Sequence, residues 1–418
     1  MPREFNVPLF YRSPIISVVK QARRGIDPRK RDLAPSILDF GPVRFKIARH
    51  FGFCYGVENA IEIAYRALDE NPDKRIFLLS EMIHNPHVNT DLRERGVQFL
   101  CETSGKPLIP FDELMPEDVV IVPAFGTTLE IQSELNERGI NPYAYNTTCP
   151  FVEKVWKKSE EIGRQDYTIV VHGKRYHEET RATFSHAKSE APVVVVLDLV
   201  EAKNLVKVIC GEADRAFFFE YFANGYSPGF EPDRDLKRIG VVNQTTMLAT
   251  ETQAIADLLR GAMIDRYGKE RIDEHFADTK DTLCYATKEN QDATLALIAD
   301  RGDLALVVGG YNSSNTSHLV ELFEGKMPTY FVRDAEEIKS SRSIRHWNIH
   351  AKTVCETTDW LPMHPADDGP IDIILTAGAS CPDALLDEVL CKVVSWFPQT
   401  RPVDDVLAPY RDDEDSNP

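Results

Sequence analysis

From residue 44 onward the chain repeats one pattern: a short apolar run, a polar or glycine-containing junction, then apolar residues at helical spacing. The run at 44–48 leads to HFGFC at 50–54, after which Val57, Ile61, Ala64 and Leu68 recur as one buried helical stripe. Apolar runs at 76–79, 119–122, 168–171, 239–242, 304–308 and 371–375 lead in the same way to polar junctions. These read IHNP at 83–86, PAFG at 123–126, HEE at 177–179, NQTT at 243–246, NSSN at 312–315 and TAGAS at 376–380. Strands alternating with helices predict an α/β fold of doubly wound parallel sheets, in which ligands bind beyond the carboxyl ends of the strands. Every one of these polar junctions falls at that end of its strand.

The cysteines sharpen this picture. There are eight, at 54, 101, 149, 210, 284, 355, 381 and 391, and no two form a CxxC pair, so a metal site must gather ligands from far apart in sequence. Cys54, Cys149 and Cys284 share one context, each just ahead of a predicted helix, with Pro150 suited to the first helical position. Their spacing of about one α/β unit predicts three units around a pseudo-threefold axis, each presenting one cysteine to the centre. The expected division is an N-terminal extension at 1–43, α/β domains at 44–149, 150–283 and 284–400, the last with a C-terminal return, and an acidic tail at 401–418.

Thiols at helix N-termini are expected to have depressed pKa values and to suit a metal. A [4Fe–4S] cluster held by only three cysteines keeps one iron open, able to bind a substrate oxygen as a Lewis acid and to pass electrons to it. Zinc on three thiolates is the competing reading, and three buried core cysteines the plain one. The other five cysteines lack the shared context and read as core or surface residues.

Length and charge bound the class. The 418 residues suit two or three domains, and no apolar run reaches the length of a membrane span. The N-terminal segment has neither an apolar signal region nor the Ser-rich, acid-poor character of a transit peptide, so a cytoplasmic location is expected. The net charge of −18 opposes nonspecific binding to nucleic acid. KQARRGIDPRKRD at 20–32 is the one basic cluster, read as a solvated N-terminal arm or as a docking patch for an acidic electron carrier. The ending RDDEDSNP at 411–418 reads as a disordered acidic tail.

His84, His177, Thr245, Asn312, Ser313, Ser314, Asn315 and Ser380 supply hydrogen-bond donors without a fixed strong charge, a set that can saturate a diphosphate. NSSN ahead of a helix expected near Ser317 reads as an anion nest or as a helix N-cap, and His84 alone reads equally as a structural histidine. Neither GxGxxG after a strand nor GxxxxGK[ST] occurs, so no dinucleotide or nucleoside triphosphate is indicated. HEE at 177–179 places carboxylates beside an imidazole in an expected loop. One of them, partly desolvated, can act as a general acid, and a surface salt bridge is the plain role for Glu178.

Taken together, FGFCYGVENAI at 51–61, IHNPHVN at 83–89, NTTCP at 146–150, HEET at 177–180, NQTTM at 243–247, LCYATKENQ at 283–291, NSSN at 312–315 and TAGASCPD at 376–383 resemble the 4-hydroxy-3-methylbut-2-enyl diphosphate reductase family of the non-mevalonate isoprenoid pathway. The resemblance implies three α/β domains in a trefoil around a [4Fe–4S] cluster, with Cys54, Cys149 and Cys284 as metal ligands. It implies Glu179 as proton relay, Thr245 as its hydrogen-bonding partner, and His84, His177, Ser313, Ser314, Asn315 and Ser380 as the substrate diphosphate cradle. The reaction implied is two-electron reductive dehydroxylation to isopentenyl and dimethylallyl diphosphate.

Phe125 stands where many bacterial members carry a histidine. With HGKRYHEET and the N-terminal extension, it makes the chain more similar to the plant and cyanobacterial branch, which implies ferredoxin or flavodoxin as electron donor. Two rivals remain at this stage. A hydro-lyase with an open iron would want cations such as Lys174 and Arg175 near its substrate, and a sensor without turnover would not need Glu179 or Thr245.

Overall fold

The computed structural model describes residues 5–277, 279, 282–362 and 369–411. The chain divides into two compact units, one of Met1–Glu58, His84–Pro86 and Tyr285–Pro418, the other of Asn59–Ile83 and His87–Cys284.

The first unit is built on a five-stranded sheet in the order Ser36–Asp39, Val43–Ile47, Ile371–Ala377, Leu304–Val308, Thr329–Val332. The first pair is antiparallel and the rest run parallel, with Ile371 opposite Val43 and Leu304 opposite Ile373. Leu304–Val308 is buried along its whole length, as a central parallel strand covered on both faces must be. The strand Val43–Ile47 thus pairs on one side with a segment 328 residues away. A separate antiparallel sheet follows, Ile338–Ser340, Ser343–Asn348 and Thr353–Thr358.

The ends of the chain join this core. The helix Ile16–Ile26 buries Ile16, Val19 and Ala22 on one stripe, and its basic residues lie on the other faces. Its first N–H groups are held by Asp387, which accepts from Ile15 N at 3.0 Å and Ile16 N at 3.1 Å, an acid placed where the helix dipole favours it. The basic cluster is therefore not a loose arm. Residues 20–26 belong to a packed helix that buries Ala22, with Arg23 donating to Asp32 and Arg49 to the Asp27 carbonyl. The region expected as a tail holds a helix, Val403–Arg411, that buries Val406 and Leu407; residues 412–418 lie outside the described ones.

The second unit holds two parallel sheets. One runs Gln98–Phe99, Ile76–Leu78, Val119–Val122, Tyr145–Asn146; the other runs Val193–Val196, Thr168–His172, Ile239–Asn243. Their cores are separate, one around Phe77, Leu100 and Leu135, the other around Phe218, Phe222, Ile255 and Leu259. The α/β class and the parallel pairing are as the sequence predicts, with three parallel-stranded sheets across the two units. Among the described residues no helix is long and apolar enough to cross a membrane.

Candidate functional site

In the second unit the site grows from the strand Thr168–His172 and its neighbour Ile239–Asn243, which deliver HEE and NQTT from adjacent carboxyl ends. Here the structure corrects the expected loop. His177 is the N-cap of the helix Glu178–Lys188, so both glutamates lie in its first turn. The His177 Nδ1 accepts from Glu179 N at 3.1 Å, which leaves the neutral ring with its proton on Nε2. Glu179 is 1% exposed, and its two carboxylate oxygens accept from Thr245 N at 2.5 Å and Thr245 Oγ1 at 2.9 Å. Two donors on one buried carboxyl fix its orientation.

Glu178 also departs from expectation. It is buried and accepts from the Ser80 hydroxyl. It lines a small cavity of about 20 Å³ with Ser80, Thr127 and Arg181.

Gln244, which the sequence reading left without a role, ties this site together. Its Oε1 accepts from Lys174 N and Thr180 Oγ1, both at 3.0 Å, and its Nε2 donates to Thr246 Oγ1 at 2.9 Å. The amide thus fastens the turn carrying Thr245 to the helix carrying Glu179. Its place inside NQTT was the available signal. Arg175, the cation a dicarboxylate would want, is instead turned to Ala223 O and Glu201.

Cys149 caps the helix Pro150–Gly163, with Pro150 at its start as expected, and its N–H donates to Ala124 O at 3.0 Å. Cys284 N donates to Thr245 O at 3.1 Å, so one ligand candidate is tied directly to the Glu179 partner. The thiol of Cys149 is not depressed, contrary to the sequence expectation. Burial pushes it up to about 11, with the charges of Cys284 and Glu179 adding and the N–H groups of Phe151 and Val152 opposing. Desolvation here outweighs the helix terminus, a balance that a bound cation reverses. Phe125 packs edge-on against the His177 ring at 5.4 Å and 84°. Gly126, at φ +77°, lets this loop approach Trp156, whose ring a Cβ would meet at 2.5 Å.

In the first unit three junctions meet, on the neighbouring strands Val43–Ile47, Ile371–Ala377 and Leu304–Val308. Cys54 N donates to Ala379 O at 3.2 Å, and Ala379 N donates to Asn315 Oδ1 at 2.8 Å. Asn315 Oδ1 also accepts from Asn290 at 3.3 Å, so its carbonyl side braces the loops. The helix begins at Ser314, earlier than expected, with Ser313 as N-cap accepting from Thr316 N at 3.3 Å. Ser313, Ser314 and Asn315 are all buried, at the N-terminal end of the helix, where the helix dipole favours an anion. Ser380 Oγ donates to His84 O at 3.2 Å, and a Cβ on Gly310 would meet that same oxygen at 2.3 Å. The structure therefore brings Cys54, His84, Ser313, Ser314, Asn315 and Ser380 together in one unit, and Cys149, Cys284, His177, Glu179 and Thr245 together in the other. Among the described residues no group of three or more His, Cys, Asp or Glu side chains is close enough to hold a metal ion.

Residues 45–394 match the LytB protein family. The chain belongs to that family. A relative from Thermosynechococcus vestitus, named 4-hydroxy-3-methylbut-2-enyl diphosphate reductase, is 44% identical over 355 residues, covering 84% of this chain and 85% of its own. A relative of the same name from Synechococcus sp. (strain CC9605) is 42% identical, covering 85% of this chain and 86% of its own. The solved E-1-hydroxy-2-methyl-but-2-enyl-4-diphosphate reductase from Plasmodium falciparum shares the fold at TM-score 0.60 and 19% identity, over 85% of this LytB-family chain and 89% of that one.

Proposed function

We propose that this LytB-family chain reduces 4-hydroxy-3-methylbut-2-enyl diphosphate to isopentenyl and dimethylallyl diphosphate. Atoms and electrons balance simply: two electrons and two protons enter, the C–O bond breaks, the hydroxyl leaves as water, and a C–H bond forms. The relatives' names support the substrate, and the buried Glu179–Thr245 pair beside Cys284 is the observation that carries the chemistry.

Cys54, Cys149 and Cys284 are the proposed ligands of a [4Fe–4S] cluster. All eight cysteines are free thiols, Cys149 and Cys284 lie within electrostatic reach of each other, and soft thiolates are the donor set such a cluster takes. When bound, the cluster would supply the electrons and a Lewis-acid position for the substrate hydroxyl. The trefoil of three domains, each bringing one cysteine, belongs to the same reading.

The protein's own residues do the rest. Glu179, fixed by Thr245, takes up a proton and hands it to the departing hydroxyl. His177 offers Nε2–H to the diphosphate, and Phe125 holds the ring in that orientation. His84, Ser313, Ser314, Asn315 and Ser380 complete the cradle, with the N–H groups of the helix Ser314–Phe323 favouring the anion. Ferredoxin or flavodoxin is the proposed electron donor, in a cytoplasmic setting. The test is product analysis: anaerobic protein with full iron, substrate and a chemical one-electron donor should yield both five-carbon diphosphates. Substrate recovered unchanged would overturn the reading.

A further inference from the structure

The acids of one helix grip the N-terminal helix twice, in the first unit. Asp387 accepts from the N–H groups of Ile15 and Ile16, and one turn earlier on the same helix Asp383 accepts from Lys20 Nζ at 2.6 Å. Lys20 lies one turn beyond Ile16, so the two contacts fix both the position and the register of the helix Ile16–Ile26. The same ammonium donates to Phe51 O at 3.0 Å and stands 4.3 Å over the Phe51 ring. The side chains of Lys20 and Asp383 are only 26% and 18% exposed, so solvent screens the pair less than it would a surface ion pair.

Gly52 follows Phe51 at φ +74°. A Cβ there would lie 2.4 Å from Asp383 Oδ1 and 2.8 Å from Lys20 Nζ, so the turn closes directly on the ion pair. Two residues on, Cys54 N donates to Ala379 O, in the loop that carries Ser380 and ends at Asp383. The Cys54 turn and the Ser380 loop are thus tied twice, once by backbone and once through Lys20.

We infer that Lys20 is a positioning residue for Cys54: the N-terminal helix sets the turn that presents this thiol and locks it to the loop of the anion cradle. The inference rests on the reading of Cys54 as a cluster ligand. Removing the ammonium leaves the half-buried Asp383 and the Phe51 carbonyl without their donor, and the turn at Gly52 is released. Sequence gave no hint of this, because Lys20 sits in a run of basic residues and its partner lies 363 residues away.

The test compares anaerobic holoenzyme of the wild type and Lys20→Met. Each is pulsed with iodoacetamide, and labelling is read by mass spectrometry at Cys54, Cys149 and Cys284 separately. Cys54 should label several-fold faster in the variant while the other two keep their rates. Asp383→Asn should do the same, and the double variant should add nothing further. Lys20→Arg, which keeps the charge, should return most of the protection. Equal acceleration at all three cysteines, or none at Cys54, would overturn the inference. Should Lys20→Met fail to fold, Gly52→Ala decides the matter, since its Cβ should free Cys54 alone. The ligand reading is checked in parallel: if wild-type Cys54 labels equally with iron present and stripped, that reading falls. The comparison between wild type and Lys20→Met in the stripped full chain still decides the role of Lys20.

Discussion

Thr245 donates to both oxygens of Glu179, with its N–H at 2.5 Å and its hydroxyl at 2.9 Å. One residue therefore fixes the carboxylate plane, and it does so from the strand end whose carbonyl holds Cys284 N. Glu179 reaches this position because His177 caps its helix and Gln244 clamps that helix to the Thr245 turn. The arrangement fixes the carboxylate at one point.

Glu179→Gln keeps the shape and the Thr245 hydroxyl contact but cannot exchange a proton. Turnover should fall about 100-fold or more, the usual loss of a general acid, with iron content unchanged. Equal turnover in the variant, measured with iron counted in the same sample, would remove Glu179 from the reaction.

Thr245→Val removes the hydroxyl and spares the N–H. A hydrogen bond to a charged group contributes about 1.5–3 kcal/mol, so kcat should drop roughly 10- to 100-fold, less than for Glu179→Gln. A variant whose KM alone changed would place Thr245 on the substrate instead of on Glu179.

Cys149→Ser should lose iron, since serine is a poor ligand for a thiolate-held cluster. Iron analysis and the visible absorption of anaerobically purified protein decide this. Normal iron in the folded variant would sink the ligand assignment.

Glu130 links the helix Leu129–Glu137 to the helix that carries Glu179. Burial works against its ionised form, but the Lys188 ammonium and the Ser185 hydroxyl win and hold its pKa at about 2. A depressed folded pKa means stabilisation that is present above the ordinary value of 4.5 and lost as pH falls through about 2. Because Glu130 is exposed and Lys188 partly so, solvent screens the pair and the effect is small, about 0.2–1 kcal/mol. Lys188→Met should therefore lower stability slightly at pH 7, and the gap from wild type should shrink as pH drops from 4.5 toward 2. Denaturant titrations at several pH values would show it, and a constant gap would contradict it.

Most of the candidate site was legible because its residues sit in short motifs at strand ends, where spacing and residue type speak together. The apolar runs gave the central strands at 119–122 and 304–308 to the residue. What escaped was set by long-range pairing or by burial. Nothing local says that Val43–Ile47 joins Ile371–Leu375, or that Asp387 holds the start of the N-terminal helix. Glu178 and Glu179 look alike in sequence, yet one accepts from Ser80 and the other from Thr245. The Cys149 thiol was misjudged for a related reason, since a helix terminus is visible in sequence and the depth of burial is not.

The most direct test of the whole account is anaerobic oxidation of reduced viologen by the purified chain, with iron counted in the same sample. The expected result is oxidation that depends on 4-hydroxy-3-methylbut-2-enyl diphosphate, at two electrons per substrate consumed, in protein holding about four irons per chain. Full iron without substrate-dependent oxidation would contradict the reductase reading while leaving the cysteine site standing.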